Sequence, residues 1–307
     1  MPAAQAQNTI FQQAKLWFLA ARPASLTAST VPVLVGAAWA FYEKTPADWR
    51  WLPLIWLAAL SIHAATNLVS EYFDYIKGDI TLGSSRVIVE GLLSPRQVLI
   101  GGLVMFAVTA AIGLVFIALR GWPILAIGLV GILGGYFYTA TPVGYKYIGL
   151  GDILVFVLMG PLMVIGSYFV LTGTYNHNVL LVSLPIGCLV TAILSGNNLR
   201  DMLPDNQAGI TTTAGLLGHQ WAKVEYCALD ISAYLITAVL VAAHVLPRWS
   251  LITALSIPLA YQCVRRALGS APNKPQQLAD IDIRTAKLHL AFGILLIISL
   301  LPGASGK

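Results

Sequence analysis

Two short stretches of the chain carry acids at spacings that bring them onto one helix face. The first runs Asn67-Leu-Val-Ser-Glu71-Tyr-Phe-Asp74 and continues to Lys77 and Asp79. At about 100° per residue, Asn67, Glu71 and Asp74 stand near 0°, 40° and −20°, so an amide and two carboxylates share a narrow strip. The second runs Asn197-Asn198-Leu-Arg200-Asp201-Met-Leu-Pro204-Asp205. Its Asn197, Asp201 and Asp205 stand near 0°, 40° and about 80° if the helix continues, and Pro204 works against continuation. Both stretches read Asn-x-x-x-acid at the end of an apolar segment, like a degenerate internal repeat. A carboxylate inside a membrane span costs about 2.5–3.5 kcal/mol, and grouped like charges add repulsion, so something cationic must offset them. Zinc is a poor candidate, because neither Cys nor His accompanies the acids. Magnesium suits better: it takes oxygen ligands, keeps waters, and joins one or two carboxylates to substrate phosphates. The plain alternative is a pair of solvated helix ends whose acids pair with Lys77 and Arg200.

The elements that must hold these clusters are membrane helices. Of 307 residues, 57 % are hydrophobic and 10 % charged, far from the roughly one-quarter charged residues of a soluble domain. A water-soluble globule is excluded. Segments of about 20 apolar residues predict nine transmembrane helices, at 26–43, 51–76, 98–118, 122–140, 151–172, 178–198, 221–245, 249–264 and 288–303. They form a single polytopic all-α membrane domain over residues 1–307, with residues 1–21 as an interfacial segment that is retained rather than cleaved. With nine spans, most of the 18 Lys and Arg fall on the side of the N-terminus, which is therefore expected in the cytoplasm. Both acidic clusters fall on that same side. The net charge of +5 reflects basic residues beside spans, so membrane lipid is the expected partner and nucleic acid is not. Cys188, Cys227 and Cys263 lie inside apolar segments and imply neither a disulfide framework nor a metal site. Gly269–Asp282 reads as a plain connector. His63 and Asp230 read as packing contacts between helices.

At these residues the chain resembles the UbiA superfamily of intramembrane prenyltransferases, whose two acidic motifs close the second and sixth of nine helices around a central cavity. The resemblance extends to Ala21-Arg22-Pro23, Gly91-Leu-Leu-Ser-Pro95, Tyr138-Thr-Ala-Thr-Pro142, Lys146-Tyr-Ile-Gly-Leu-Gly151, Gly160-Pro161-Leu-Met, and Asn197-Asn-Leu-Arg-Asp201 with Ala208-Gly209. Together these look most like the branch that prenylates 1,4-dihydroxy-2-naphthoate in menaquinone biosynthesis. Two departures stand out. Ser70-Glu71 replaces the usual Asn-Asp, and Ile210-Thr211-Thr212 stands where the branch often has Lys-Arg-Thr.

The resemblance implies an allylic polyprenyl diphosphate at the cytoplasmic mouth, bridged by Mg²⁺ to Glu71, Asp74, Asp201 and Asp205. Asn67, Asn197 and Asn198 are then neutral ligands or orienting groups, and Arg22, Lys77, Arg86, Lys146 and Arg200 are diphosphate partners. C–O cleavage gives an allylic cation that a dry chamber protects from water and that the face of Tyr138 stabilises. A hydroxylated aromatic acceptor then attacks. The implied setting is the inner membrane of a bacterial or archaeal cell. Two other readings of the same features are a UbiA-type enzyme with a different acceptor, or one that cyclises its prenyl chain. A secondary transporter is the reading from another class, although transporters place their sites near the midplane rather than at span ends.

Overall fold

The computed structural model describes residues 10–78 and 87–302. Eleven α-helices follow in order: α1 (Ile10–Ala20), α2 (Thr27–Tyr42), α3 (Leu52–Lys77), α4 (Pro95–Arg120), α5 (Trp122–Tyr136), α6 (Gly151–Val157), α7 (Met163–Thr172), α8 (His177–Gln207), α9 (Thr213–Ala242), α10 (Ile257–Leu268) and α11 (Ile281–Leu300). A π-helical turn, Leu158–Leu162, joins α6 to α7 into one bent segment around Pro161. Among the described residues, seven helical segments are long and apolar enough to cross a bilayer. The protein is an integral membrane protein.

Seven of the expected spans match these segments, with shifted ends. The other two differ. Expected span 122–140 stops at Tyr136, at about 22 Å too short by itself for a hydrocarbon core of about 30 Å. Thr141-Pro142 and Gly144, at φ 51°, turn the chain there instead. Expected span 249–264 begins as a 3₁₀ stretch, Arg248–Ser256, before α10 starts beside Pro258. Helix α8 runs further than expected, through Pro204 to Gln207. The proline removes one ladder donor without ending the helix.

Local chemistry sets the ends that matter for the site. Gly78 closes α3 at φ 76°, a left-handed conformation that glycine adopts without penalty. Ser94 opens α4 with a capping box, its Oγ accepting from Gln97 N and Gln97 Oε1 accepting from Ser94 N at 2.9 Å. Thr212 caps α9 by accepting from Gly215 N at 3.3 Å.

Helix α8 is the central column: 78 % of its apolar window is buried, against 22 % for α4, which faces lipid. The main core packs Val31, Val35, Trp39, Tyr168, Ile186, Leu189, Tyr226 and Phe292 between α2, α7, α8, α9 and α11. With no water to expel, membrane helices associate through close packing at small residues. Gly160 illustrates this, since a Cβ there would lie 2.6 Å from the Cα of Gly187 on α8. We expect Gly160→Ala to push the two backbones apart and cost about 1–3 kcal/mol. A lowered thermal unfolding midpoint in detergent checks this, and an unchanged midpoint contradicts it. Helix α1 docks in the same way, with the Trp17 ring seated against Gly101 of α4, while Phe18 and Leu19 are exposed.

Candidate active site

A single cavity of about 890 Å³ lies among α2, α3, α4, α5, the bent α6–α7 segment, α8 and the first turn of α11. Its polar wall carries Arg22, Asn67, Asp74, Tyr138, Lys146, Asn197, Asn198, Arg200, Asp201 and Asp205, and most of the remainder is aliphatic. Two stretches far apart in sequence therefore face one chamber.

Asp74, on the last turns of α3, is 4 % exposed. Its Oδ1 accepts from Lys146 Nζ at 2.8 Å and from the Tyr147 hydroxyl at 2.7 Å. Both donors sit on the 3₁₀ turn Tyr145–Tyr147. That turn is held by Lys146 N donating to Tyr138 O at 2.9 Å and by Thr211 N donating to Tyr147 O at 3.3 Å. The second bond pairs Ile148 with Thr211 just beyond α8, so the α5–α6 connection ties one acidic cluster to the other. Of the two residues that stand in place of the expected cations, Ile210 is buried and Thr211 has this backbone role, while Thr212, which keeps the pattern's threonine, caps α9. Lys77 lies outside the cavity wall, its ammonium 4.6 Å above the Tyr147 ring.

Glu71 is not among the residues that line the chamber. It is 3 % exposed and pairs with Arg22 Nη2 at 3.3 Å. Arg22 has φ 56° and ψ 67°, a left-handed conformation uncommon outside glycine. Three bonds fix it there. Asn67 Nδ2 donates to Ala21 O at 2.9 Å and to Ser25 Oγ at 3.1 Å, and Ser25 Oγ donates to Arg22 O at 2.8 Å. His63 contacts the hydroxyls of Ser25 and Ser29, so it is the inter-helix contact expected of it, and it also borders the cavity. Asn67 and Glu71, one turn apart on α3, together brace Arg22 toward the chamber.

On α8, Asp201 and Asp205 are 5 % and 2 % exposed. Arg200 clamps Asp201 with two parallel bonds, Nε to Oδ1 at 2.8 Å and Nη2 to Oδ2 at 2.7 Å. Its Nη1 stands 3.3 Å from Asp282 Oδ2. Asn198 Nδ2 donates to Asp152 Oδ2 at 3.0 Å, and Asn197 Oδ1 is buried without a hydrogen-bond partner. Tyr138 meets Tyr145 edge-on, with centroids 5.4 Å apart. The Tyr145 hydroxyl donates to Gly134 O, and burial raises its pKa above the usual phenol range.

Among the described residues no three His, Cys, Asp or Glu side chains converge into a preformed metal cage. The acids that face the chamber, Asp74, Asp201 and Asp205, with the unpartnered Asn197 Oδ1, offer oxygen donors. That set fits Mg²⁺, which needs only one or two carboxylates when substrate phosphates and waters complete its shell.

Arg86 and Asp79 lie outside the described residues. Tyr147 and Asp282 escaped the sequence reading. Tyr147 adjoins Lys146, and its hydroxyl had no signal beyond that adjacency. Asp282 reads as connector in the sequence, whereas in the fold Ala279 and Asp282 both border the cavity. Asp230 is wholly buried in α9 and is not part of the cavity wall.

The profile of the UbiA prenyltransferase family matches residues 29–298. The chain belongs to the UbiA prenyltransferase family. It is 35 % identical over 291 residues to the 1,4-dihydroxy-2-naphthoate octaprenyltransferase of Bacillus subtilis, covering 93 % of this chain and 92 % of that protein. It is 33 % identical over 304 residues to human UbiA prenyltransferase domain-containing protein 1, covering 98 % and 88 %. Its fold matches that of a UbiA homologue from Archaeoglobus fulgidus bound to GPP and Mg²⁺, with a TM-score of 0.64 at 16 % identity, over 92 % of this chain and 99 % of that one. Relatives at similar identity come from Bacillus and from animals, so likeness to this UbiA-family chain does not single out a bacterial or archaeal membrane.

Proposed function

We propose that the protein transfers a polyprenyl group from an allylic polyprenyl diphosphate to a hydroxylated aromatic acceptor of the 1,4-dihydroxy-2-naphthoate type, with Mg²⁺ as cofactor. The observation that carries this reading is the convergence of two acidic stretches and three cations at one end of an otherwise aliphatic chamber. The similarity to the Bacillus enzyme supports the acceptor class. If α5 and the segment Arg248–Leu268 are counted as spans the helices number nine, and the distribution of Lys and Arg then supports a cytoplasmic N-terminus and cavity mouth.

In this reading Asp74, Asp201 and Asp205 hold Mg²⁺, and Asn197 and Asn198 present neutral groups beside them. The metal supplies charge neutralisation for the departing diphosphate. Arg22, Lys146 and Arg200 line the chamber and would donate to phosphate oxygens, and Lys77 and Arg86 are proposed as further diphosphate partners. Two of the acids that face the chamber are cation-bound, Asp74 by Lys146 and Asp201 by Arg200. Those cations are positioned to pass to the diphosphate, which stabilises it as charge develops. The allylic C–O bond breaks with its electron pair leaving on diphosphate. The aliphatic walls exclude water, and the Tyr138 face offers roughly 0.5–2 kcal/mol to the allylic cation. The acceptor ring carbon forms the new C–C bond, and aromaticity returns as that carbon loses the group it carried, a proton or carbon dioxide.

Incubating purified protein with an allylic diphosphate, Mg²⁺ and a panel of hydroxylated aromatics tests this by product mass. A prenylated ring is the expected product. Diphosphate release with only a cyclic hydrocarbon rejects transfer, as does substrate movement across vesicles without diphosphate release. A second expectation concerns Glu71, since Glu71→Gln removes the ionic brace on Arg22 but leaves the chamber-facing acids in place. The KM for prenyl diphosphate should rise about three- to tenfold with a smaller change in kcat, the size of one ordinary net hydrogen bond, since glutamine keeps an acceptor oxygen. A collapse of kcat at unchanged KM contradicts a bracing role.

A further inference from the structure

The guanidinium of Arg200 is held by two carboxylates from different helices, and only one of them belongs to the acidic motifs. Its side chain is 1 % exposed. Two nitrogens hydrogen-bond both oxygens of Asp201, and the third, Nη1, makes no hydrogen bond but stands at ion-pair distance, 3.3 Å, from Asp282 Oδ2 on the first turn of α11. Asp282 is fixed in turn by its own backbone, with Oδ1 accepting from Ile283 N at 2.9 Å. Its neighbour Asp280 is occupied elsewhere, by Arg266 at 2.8 Å and Arg284 at 2.7 Å. Asp282 borders the cavity.

This arrangement meets a difficulty in the function proposed above, on which the inference rests. Asp201 spends both oxygens on Arg200 at rest. If Asp201 is to turn toward a metal, a buried cation must give up its partner, and an uncompensated buried charge costs several kcal/mol. We propose that Asp282 is a positioning residue that retains Arg200 when Asp201 is drawn to the metal–diphosphate, so that the acid is released without stranding the cation. Asp282 touches neither substrate nor metal in this role. It sets how readily Asp201 becomes available, and it couples the first turn of the last helix to the filling of the chamber.

The test is equilibrium binding rather than turnover. Mn²⁺, detectable by electron paramagnetic resonance, is titrated into full-length protein with a prenyl thiolodiphosphate that resists ionisation. Asp282→Asn leaves Asp201 as the only carboxylate on Arg200, so metal affinity should fall about tenfold or more, the usual scale for losing an outer-shell partner. Asp282→Glu should restore most of it. In an Arg200→Gln background there is no cation to retain, so adding Asp282→Asn should change metal affinity little. A thermal unfolding curve for each variant guards against simple misfolding. Unchanged affinity in Asp282→Asn, or a further independent loss in the double variant, overturns the inference while leaving the proposed function standing. Wild-type protein that takes up no metal with the diphosphate analogue overturns the proposed function itself.

Discussion

Replacing Asp74 with asparagine is expected to abolish turnover, by about a hundredfold or more, while leaving the protein folded. Among the described residues, Asp74 is the one acid of the first cluster that both borders the chamber and receives donors from the opposite loop. Asparagine keeps an oxygen for the Tyr147 hydroxyl but removes the negative charge, so Lys146 loses an ionic partner and the proposed Mg²⁺ site loses a ligand. Removing one preorganised electrostatic group from a site of this kind typically costs about 10²–10³ in kcat. Lys146 is 14 % exposed and has the Tyr147 ring 5.4 Å away, so losing its partner should be tolerated structurally. Steady-state rates alongside a thermal unfolding curve check this. Wild-type turnover in Asp74→Asn contradicts the metal assignment.

Asp201→Asn is expected to fail in two ways at once. Arg200 is buried and bound bidentately, so removing the carboxylate leaves a buried cation with Asp282 alone. Breaking a buried pair from one side costs about 3–5 kcal/mol, and Asp282 should keep the loss near the lower figure, about 3 kcal/mol. Turnover should also disappear, because Asp201 is the first acid of the second cluster. The pair of defects separates in Arg200→Gln/Asp201→Asn, which removes both charges. That variant should regain much of the unfolding midpoint while remaining inactive. An Asp201→Asn protein as stable as wild type contradicts the ion-pair account, and a double variant that regains activity contradicts the catalytic one.

These expectations bear on how much the chain disclosed before its fold was known. The helix-face arithmetic for Asn197, Asp201 and Asp205 was sound because α8 continues past Pro204, so local periodicity was a sufficient guide. It was less sufficient for Asn67 and Glu71. Their phase on α3 was right, but phase says nothing of what the face meets, and here it meets the left-handed turn at Arg22. The loop after α5 was legible as a motif and illegible as a structure. Its residues read as the tail of a span, whereas Thr141-Pro142 and Gly144 end the helix and swing Lys146 and Tyr147 onto Asp74. Asp282 was invisible for a different reason. Its meaning lies in a contact with Arg200 across the bundle, and no local pattern encodes a partner that far away in the chain.

The departures from the family pattern also acquire physical content. Glu71 carries one methylene more than aspartate and sits opposite a guanidinium at 3.3 Å, so its length suits a bridge to Arg22. Ser70 borders the chamber and accepts from Thr139 Oγ1 at 3.4 Å, tying α3 to the same loop that delivers Lys146.

The central claim is that both acidic stretches close on one metal–diphosphate. Its most direct measurement is Mn²⁺ binding to wild type, Asp74→Asn and the Arg200→Gln/Asp201→Asn pair, each with and without the non-ionising prenyl diphosphate analogue. The account predicts tight uptake by wild type only when the diphosphate is present, and loss of that uptake when either stretch is altered. Metal bound equally well without diphosphate, or retained after one stretch is disabled, would contradict it.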